Sequence, residues 1–361
     1  MKKITSLLSF IILSLTVTGI ANGQSMREKN PPAAAFSACT GKNINTSCRM
    51  NTRRGFMNGT CQQPRGLDKA VCVPEHQNAG HNSNNQQTRS SDNRSSDNNR
   101  NLRKHTATQS SGVRQLFPAT ENPIAQNYVS SQIDGEWRII RSNGISNHKT
   151  GQFPNRGNPN RITEQNFSVR VSANPQFGSS LHRPKVIGWL LNGVPFEPGA
   201  GEFYMGERSL GWQYEALSGA VPLGLDENHA HVQPSGKYHY HGLPTLFLKK
   251  LGVTKGKHSA QIGWAADGFP IFALYGQQGE VKASYRLKSG NRPAGYNQPG
   301  GQYDGTFTQD YEYVEGLGDL DECNGTMTIT ADYPNGTYAY FLTNDYPVVP
   351  RCLKGRYSHS L

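Results

Sequence analysis

In the C-terminal two-thirds of the chain, apolar and polar positions alternate over short runs. Glu136-Trp137-Arg138-Ile139-Ile140, Phe167-Ser168-Val169-Arg170-Val171 and Thr337-Tyr338-Ala339-Tyr340-Phe341-Leu342 are strand-like, and Gly, Pro and Asn clusters divide them. Period-two alternation with frequent turns predicts a mainly β fold, a β-rich sandwich or barrel-like main domain with few short helices. One helix is expected in Pro244–Gly252, where Pro stands near the start, Lys249 and Lys250 come late and Gly252 follows the end. No fixed-period repeat interrupts this pattern.

Upstream the pattern changes three times. Lys2 and Lys3 precede an apolar stretch from Ile4 to Ile20 and the small-residue site Ala21-Asn22-Gly23, so residues 1–23 read as a secretory signal peptide. No cysteine follows that stretch to carry a lipid, and no later run is long and apolar enough to cross a bilayer. Residues 24–74 carry Cys39, Cys48, Cys61 and Cys72 among Gly and polar side chains too poor in apolar residues to build a core, so two disulfides are expected to hold this module. All three pairings remain open. A zinc knuckle is the weaker reading, because the spacing lacks a C-x-x-C pair. Residues 75–112 are rich in Asn, Ser and Arg with almost no large apolar side chain, which predicts a disordered linker. The main domain then runs over 113–361. It holds Cys323 and Cys352, whose pairing would close a loop of about 30 residues and contribute roughly 3 to 4 kcal/mol.

The net charge of +11 sits unevenly. Residues 1–122 hold 16 Lys and Arg against 6 Asp and Glu, whereas residues 123–361 hold 21 against 20. The folded part is therefore nearly neutral, and no specific nucleic-acid partner is expected. An exported chain, periplasmic or secreted, acting on a small molecule or an extracellular polymer fits better.

The chemistry concentrates in Asn228–Gly242, which reads NHAHVQPSGKYHYHG. With 11 His in 361 residues, chance would give on the order of 0.3 His-x-His pairs in the whole chain, and here two stand side by side. If Pro234-Ser235-Gly236 is a three-residue hairpin loop, His231 faces His239 and His229 faces His241. All four rings then share one face, while Ala230, Val232, Tyr238 and Tyr240 take the other. Imidazoles at that spacing suit a transition metal, zinc or copper, rather than calcium or magnesium. The competing reading is a hydrogen-bonded, pH-sensitive histidine patch.

Gly224–Pro234 and Tyr238–Pro244 resemble the YHYH-domain family, named for that tetrapeptide. The likeness extends through SNGISNHKTGQFPNRGNPN, LNGVPFEPGAGEFY, GWAADGFPIFALYG, YDGTFTQDYEYVEGLGDLDECNG and GTYAYFLTNDYPVVPRC. It implies an exported protein and leaves the chemistry to the residues. The four-cysteine stretch also resembles a small module attached to other exported bacterial proteins.

A metal site needs further groups. Asp267, in AADGFP, is the candidate carboxylate to accept a proton from a water whose pKa an ion has lowered, although Asp-Gly is a strong turn dipeptide and the turn reading is slightly favoured. Asp319, Asp321 and Glu322 form an acidic turn without the full calcium-loop pattern. His148 and Glu202 are lesser candidates. Metal-assisted hydrolysis is thus the leading enzymatic reading. A small copper redox or copper-handling protein and a non-catalytic binding module with a structural metal are the alternatives. There is no G-x-S-x-G elbow, no P-loop and no G-x-G-x-x-G after a strand.

Overall fold

The computed structural model describes residues 33–52, 55–63, 68–74, 105–110 and 115–357, without the side chains of 51–56. The signal-peptide segment and the linker up to residue 104 lie outside the described residues. The chain divides into two compact units between Arg89 and Ser90.

In the N-terminal unit a short helix, Ala33–Ser37, accompanies an antiparallel sheet of Ser47–Thr52, Gly55–Gln62 and Val71–Pro74. The pairing left open by the sequence is Cys39–Cys61 and Cys48–Cys72. Apart from those sulfurs, the buried core among the described residues holds only Ala35, Met50 and Val71. The disulfides supply what this small apolar cluster lacks, and they leave no thiolate for zinc.

The larger unit is mainly β, as its alternation predicts. Its principal sheet has eight strands in the order Ala230–Val232, Tyr238–Tyr240, Pro195–Phe196, Gly188–Leu190, Gly263–Ala265, Pro270–Ala273, Thr337–Leu342 and Gly325–Thr328. Val129–Asp134, Trp137–Ser142 and Phe167–Ser172 form a separate antiparallel sheet. The seventh strand, Thr337–Leu342, is buried on both faces because alternate residues serve two cores. Tyr338, Tyr340 and Leu342 join the main cluster with Trp189, Phe196 and Ile271, while Ala339 and Phe341 join a smaller one with Phe272, Val281 and Leu320. The expected helix is Thr245–Lys250, closed by Gly252 at φ +66°. Cys323 and Cys352 are joined, as expected.

The ordered contacts of this unit begin earlier than the composition suggested. His105 bridges to Tyr204, the Arg292 Nη1 donates to the Thr108 carbonyl at 2.7 Å, and the Ser110 N–H donates to Asp304 at 2.9 Å. Arg292 itself is buried between Asp304 and Asp310. Residues 105–110, assigned above to the linker, are thus a strap on the main unit. Low apolar content hid it, because it is held largely through backbone groups and a buried ion-pair network, with only Ala107 among its described apolar side chains packed against the core.

Candidate metal centre

The hairpin forms in the expected register, His231 opposite His239, with Ala230 opposite Tyr240 and Val232 opposite Tyr238. Gly236 takes φ +83° in the loop, the left-handed position such a turn requires. The alternation then sends tyrosines and histidines to opposite faces.

On the inner face the tyrosines are tied down through their hydroxyls. Tyr238 donates to Asp226 at 2.7 Å. The Tyr240 hydroxyl accepts from Asn192 Nδ2 at 3.0 Å and lies 2.6 Å from His148 Nε2, whose Nδ1 is 2.7 Å from the Lys149 carbonyl. His148 is therefore an anchor for Tyr240 rather than a ligand. Asp226 is fully buried and also accepts the Gly151, Asn228 and Ala230 N–H groups. Desolvation raises its pKa, and those hydrogen bonds oppose the rise. Asp226, Asn192 and Asn158 were not singled out from the sequence. An Asp two residues before Asn228 in a run otherwise noted for histidine was the available signal.

On the outer face three histidines converge. His241 Nε2 lies 3.0 Å from His239 Nε2 and 3.0 Å from His231 Nε2, and the ring centroids stand 4.7, 4.8 and 4.7 Å apart. Carbonyls fix two of the tautomers. His231 Nδ1 faces the Leu223 carbonyl at 2.8 Å and His239 Nδ1 faces that of Lys237 at 3.3 Å, so each carries its proton on Nδ1 and turns the Nε2 lone pair towards the others. His241 Nδ1 lies towards the Glu197 and Pro198 carbonyls but makes no hydrogen bond of good geometry. Burial, reinforced by the neighbouring imidazoles, pushes His239 and His241 well below the ordinary histidine pKa, and burial lowers His231 as well. His241, whose tautomer no carbonyl fixes, can donate an Nε2 proton to the other two rings or, with that proton on Nδ1, bring a third lone pair to bear on an electrophile.

Three Nε2 ligands at about 2.0 to 2.1 Å in tetrahedral geometry would stand roughly 3.3 Å apart, slightly wider than the 3.0 Å of the two contacts to His241, and all three ligand atoms lie within 4.8 Å of one another. These three residues could therefore hold a metal ion.

The expected fourth member does not join them. His229 adopts φ +53°, which takes it off the strand geometry, and its Nδ1 lies 2.8 Å from the Leu243 carbonyl. A Cβ on Gly242 would come within 2.9 Å of the His229 Cβ, so the glycine after the fourth hairpin histidine makes room for this turned residue. The expectation of four histidines on one face thus fails at His229, because the left-handed backbone breaks the alternation on which it rested.

Asp267 is also elsewhere. It is buried and its carboxylate accepts the Tyr340 hydroxyl at 2.6 Å, the Gly355 N–H at 2.8 Å and the Phe269 N–H at 3.3 Å. It does not line the cleft in front of the histidines. Asp321 accepts the Cys323 and Gly325 N–H groups and, with Glu322, pairs with Lys354, so the acidic turn is structural.

The cleft that the triad does face measures about 1240 Å³. Two carboxylates line it. Glu197 is buried and committed to Lys237, Lys185 and Gln233. Glu202 is partly exposed, acts electrostatically on His231 and has no side-chain partner among the described residues. Asn155, Asn158 and Asn160 form part of the wall, and Asn158 Nδ2 donates to the Val232 carbonyl at 2.9 Å while lying 3.2 Å from His231 Nδ1.

A family model described as YHYH protein matches residues 168–355. This chain belongs to the YHYH family. No curated protein and no solved structure matches it. The YHYH tetrapeptide itself, Tyr238–His241, is explained by the two faces of one strand: its tyrosines anchor the hairpin and its histidines supply two of the three converging nitrogens. The YHYH match begins at Ser168, whereas Asn155 and Asn158 of the cleft wall lie before it.

Proposed function

We propose that this YHYH protein is exported and that His231, His239 and His241 hold a transition-metal ion, zinc or copper, for metal-dependent hydrolysis. The observation that carries the reading is the convergence of the His231 and His239 Nε2 atoms on that of His241, each at 3.0 Å, in the lining of an open cleft. A structural metal is usually enclosed by four protein ligands, whereas three ligands and an open side belong to catalytic sites. In such a site the ion supplies Lewis acidity and a water of lowered pKa. The protein's part is to hold the imidazoles in one tautomer through Leu223 and Lys237, to offer Glu202 as proton acceptor, and to admit substrate through the cleft. Glu202 takes this role in place of Asp267, whose carboxylate is already filled by three donors. Three disulfides support export, since they persist in an oxidising compartment. Among the described residues no helix is long and apolar enough to cross a membrane.

The test is hydrolysis of p-nitrophenyl acetate and p-nitrophenyl phosphate by zinc-loaded, untagged protein. His241→Ala should abolish turnover together with metal binding. Glu202→Gln should retain the metal and lose about 100-fold in rate, the scale of general-base catalysis. Equal rates in metal-free and loaded protein would contradict the reading.

A further inference from the structure

The charges around the cleft are not those of the unit as a whole. Arg156, Arg183, Lys185, Arg208 and Arg351 line it. Against them stand Glu197 and Glu202. Behind the wall, Lys237 pairs with Glu197 and Glu215 pairs with Arg351. With both partners included, six cations face three carboxylates, a surplus of three. Residues 123–361 together carry a surplus of only one. The remainder of the folded unit is therefore net acidic, and its positive charge is gathered in front of the histidines.

The surplus is available rather than neutralised. Arg183 is exposed and has no ion-pair partner among the described residues, and its charge reaches the hydroxyl of Tyr285, another cleft residue. Arg208 is exposed and lies over the Phe203 ring, a contact that leaves its N–H groups without a carboxylate. Arg156 is exposed and, among the described residues, donates to the Gln115 side-chain oxygen at 2.6 Å without an ion-pair partner. Three guanidiniums around one cleft present planar forks of donors suited to phosphate or carboxylate oxygens. Low-dielectric walls also concentrate their field at the mouth.

We infer that the cleft is a receptor for an oxyanion, so that the substrate of the histidine site carries a phosphate or carboxylate group beside the bond to be broken. This deepens the proposed function and rests on it for what the anion is attached to. The arginine subsite itself does not need the metal.

The experiment titrates inorganic phosphate, glucuronate and neutral glucose into the full mature protein by calorimetry, with and without zinc. Arg183→Gln/Arg208→Gln is the test variant, and Arg141→Gln, exposed and outside the cleft, is the control. Saturable binding of phosphate or glucuronate, but not glucose, is expected. The double variant should weaken it about tenfold or more with its melting temperature unchanged. Preference for phosphate or for glucuronate names the anion. Binding of glucose equal to that of the anions, no anion binding, or equal affinity in the double variant would overturn the inference. Anion binding that depends on the arginines in a protein that takes up neither zinc nor copper would sink the metal reading and leave this one standing.

Discussion

Two buried polar clusters occupy different parts of the same eight-stranded sheet, and their contrast separates architecture from chemistry. At Asp267 a carboxylate with raised pKa is enclosed by Tyr340, Gly355 and Phe269, each of which donates a hydrogen bond to it. The Tyr340 hydroxyl in turn accepts the Lys354 N–H at 2.7 Å, so the network closes on itself and ties the strand Leu353–Gly355 to the sheet. At the hairpin, three imidazoles of lowered pKa turn their Nε2 atoms towards one another beside a cleft. Both places bury ionisable groups against a desolvation cost. Asp267 is satisfied by fixed protein donors, whereas the three Nε2 atoms meet one another and face a cleft, and that arrangement, not burial or a shifted pKa, distinguishes a place suited to a ligand.

Mutations should break the two clusters in opposite ways. The largest effect is expected on metal affinity from His239→Ala or His241→Ala, which should exceed the roughly 10- to 100-fold that losing an outer hydrogen-bond partner costs. The melting temperature of the metal-free protein should change little by comparison. Asp267→Ala should do the reverse. It strands the Tyr340 hydroxyl and the Gly355 N–H, which should cost about 2 to 4 kcal/mol in chemical denaturation while metal stoichiometry stays at the wild-type value. Asn158→Ala removes a group that holds the Val232 carbonyl beside His231 and should lower metal affinity about tenfold. The smallest effect is expected from His229→Ala, which should leave metal affinity unchanged, because that ring is directed at the Leu243 carbonyl instead of the triad. A loss from His229→Ala as large as that from His241→Ala would restore the four-histidine site and undo the contrast.

Much of the hairpin was legible because its rules are local. Pro234-Ser235-Gly236 specifies the loop, the loop sets the register, and alternation assigns Tyr238 and Tyr240 to the core and His231, His239 and His241 to the other face. The same alternation misplaced His229, since nothing in Asn228-His229-Ala230 announces a left-handed residue. The reason lies just upstream, in the local turn that Asp226 organises by accepting the Asn228 and Ala230 N–H groups. At Asp267 the Asp-Gly turn was legible, but its filled carboxylate was not, because that depends on Tyr340 and Gly355, which are 73 and 88 residues away in the chain. Glu202 and the arginines of the cleft are likewise gathered from distant loops, so residue type made them candidates at most and topology made them neighbours. The mainly β class was visible in alternation, whereas the double-sided burial of Thr337–Leu342 requires knowing that cores form on both faces of the sheet.

The central claim is tested most directly by elemental analysis of untagged protein purified from an oxidising compartment, side by side with the His231→Ala/His239→Ala/His241→Ala variant. The account predicts one transition-metal ion per chain in the native protein and none in a variant that still folds. A native protein without metal, or a folded triple variant that keeps the same metal content, would contradict it.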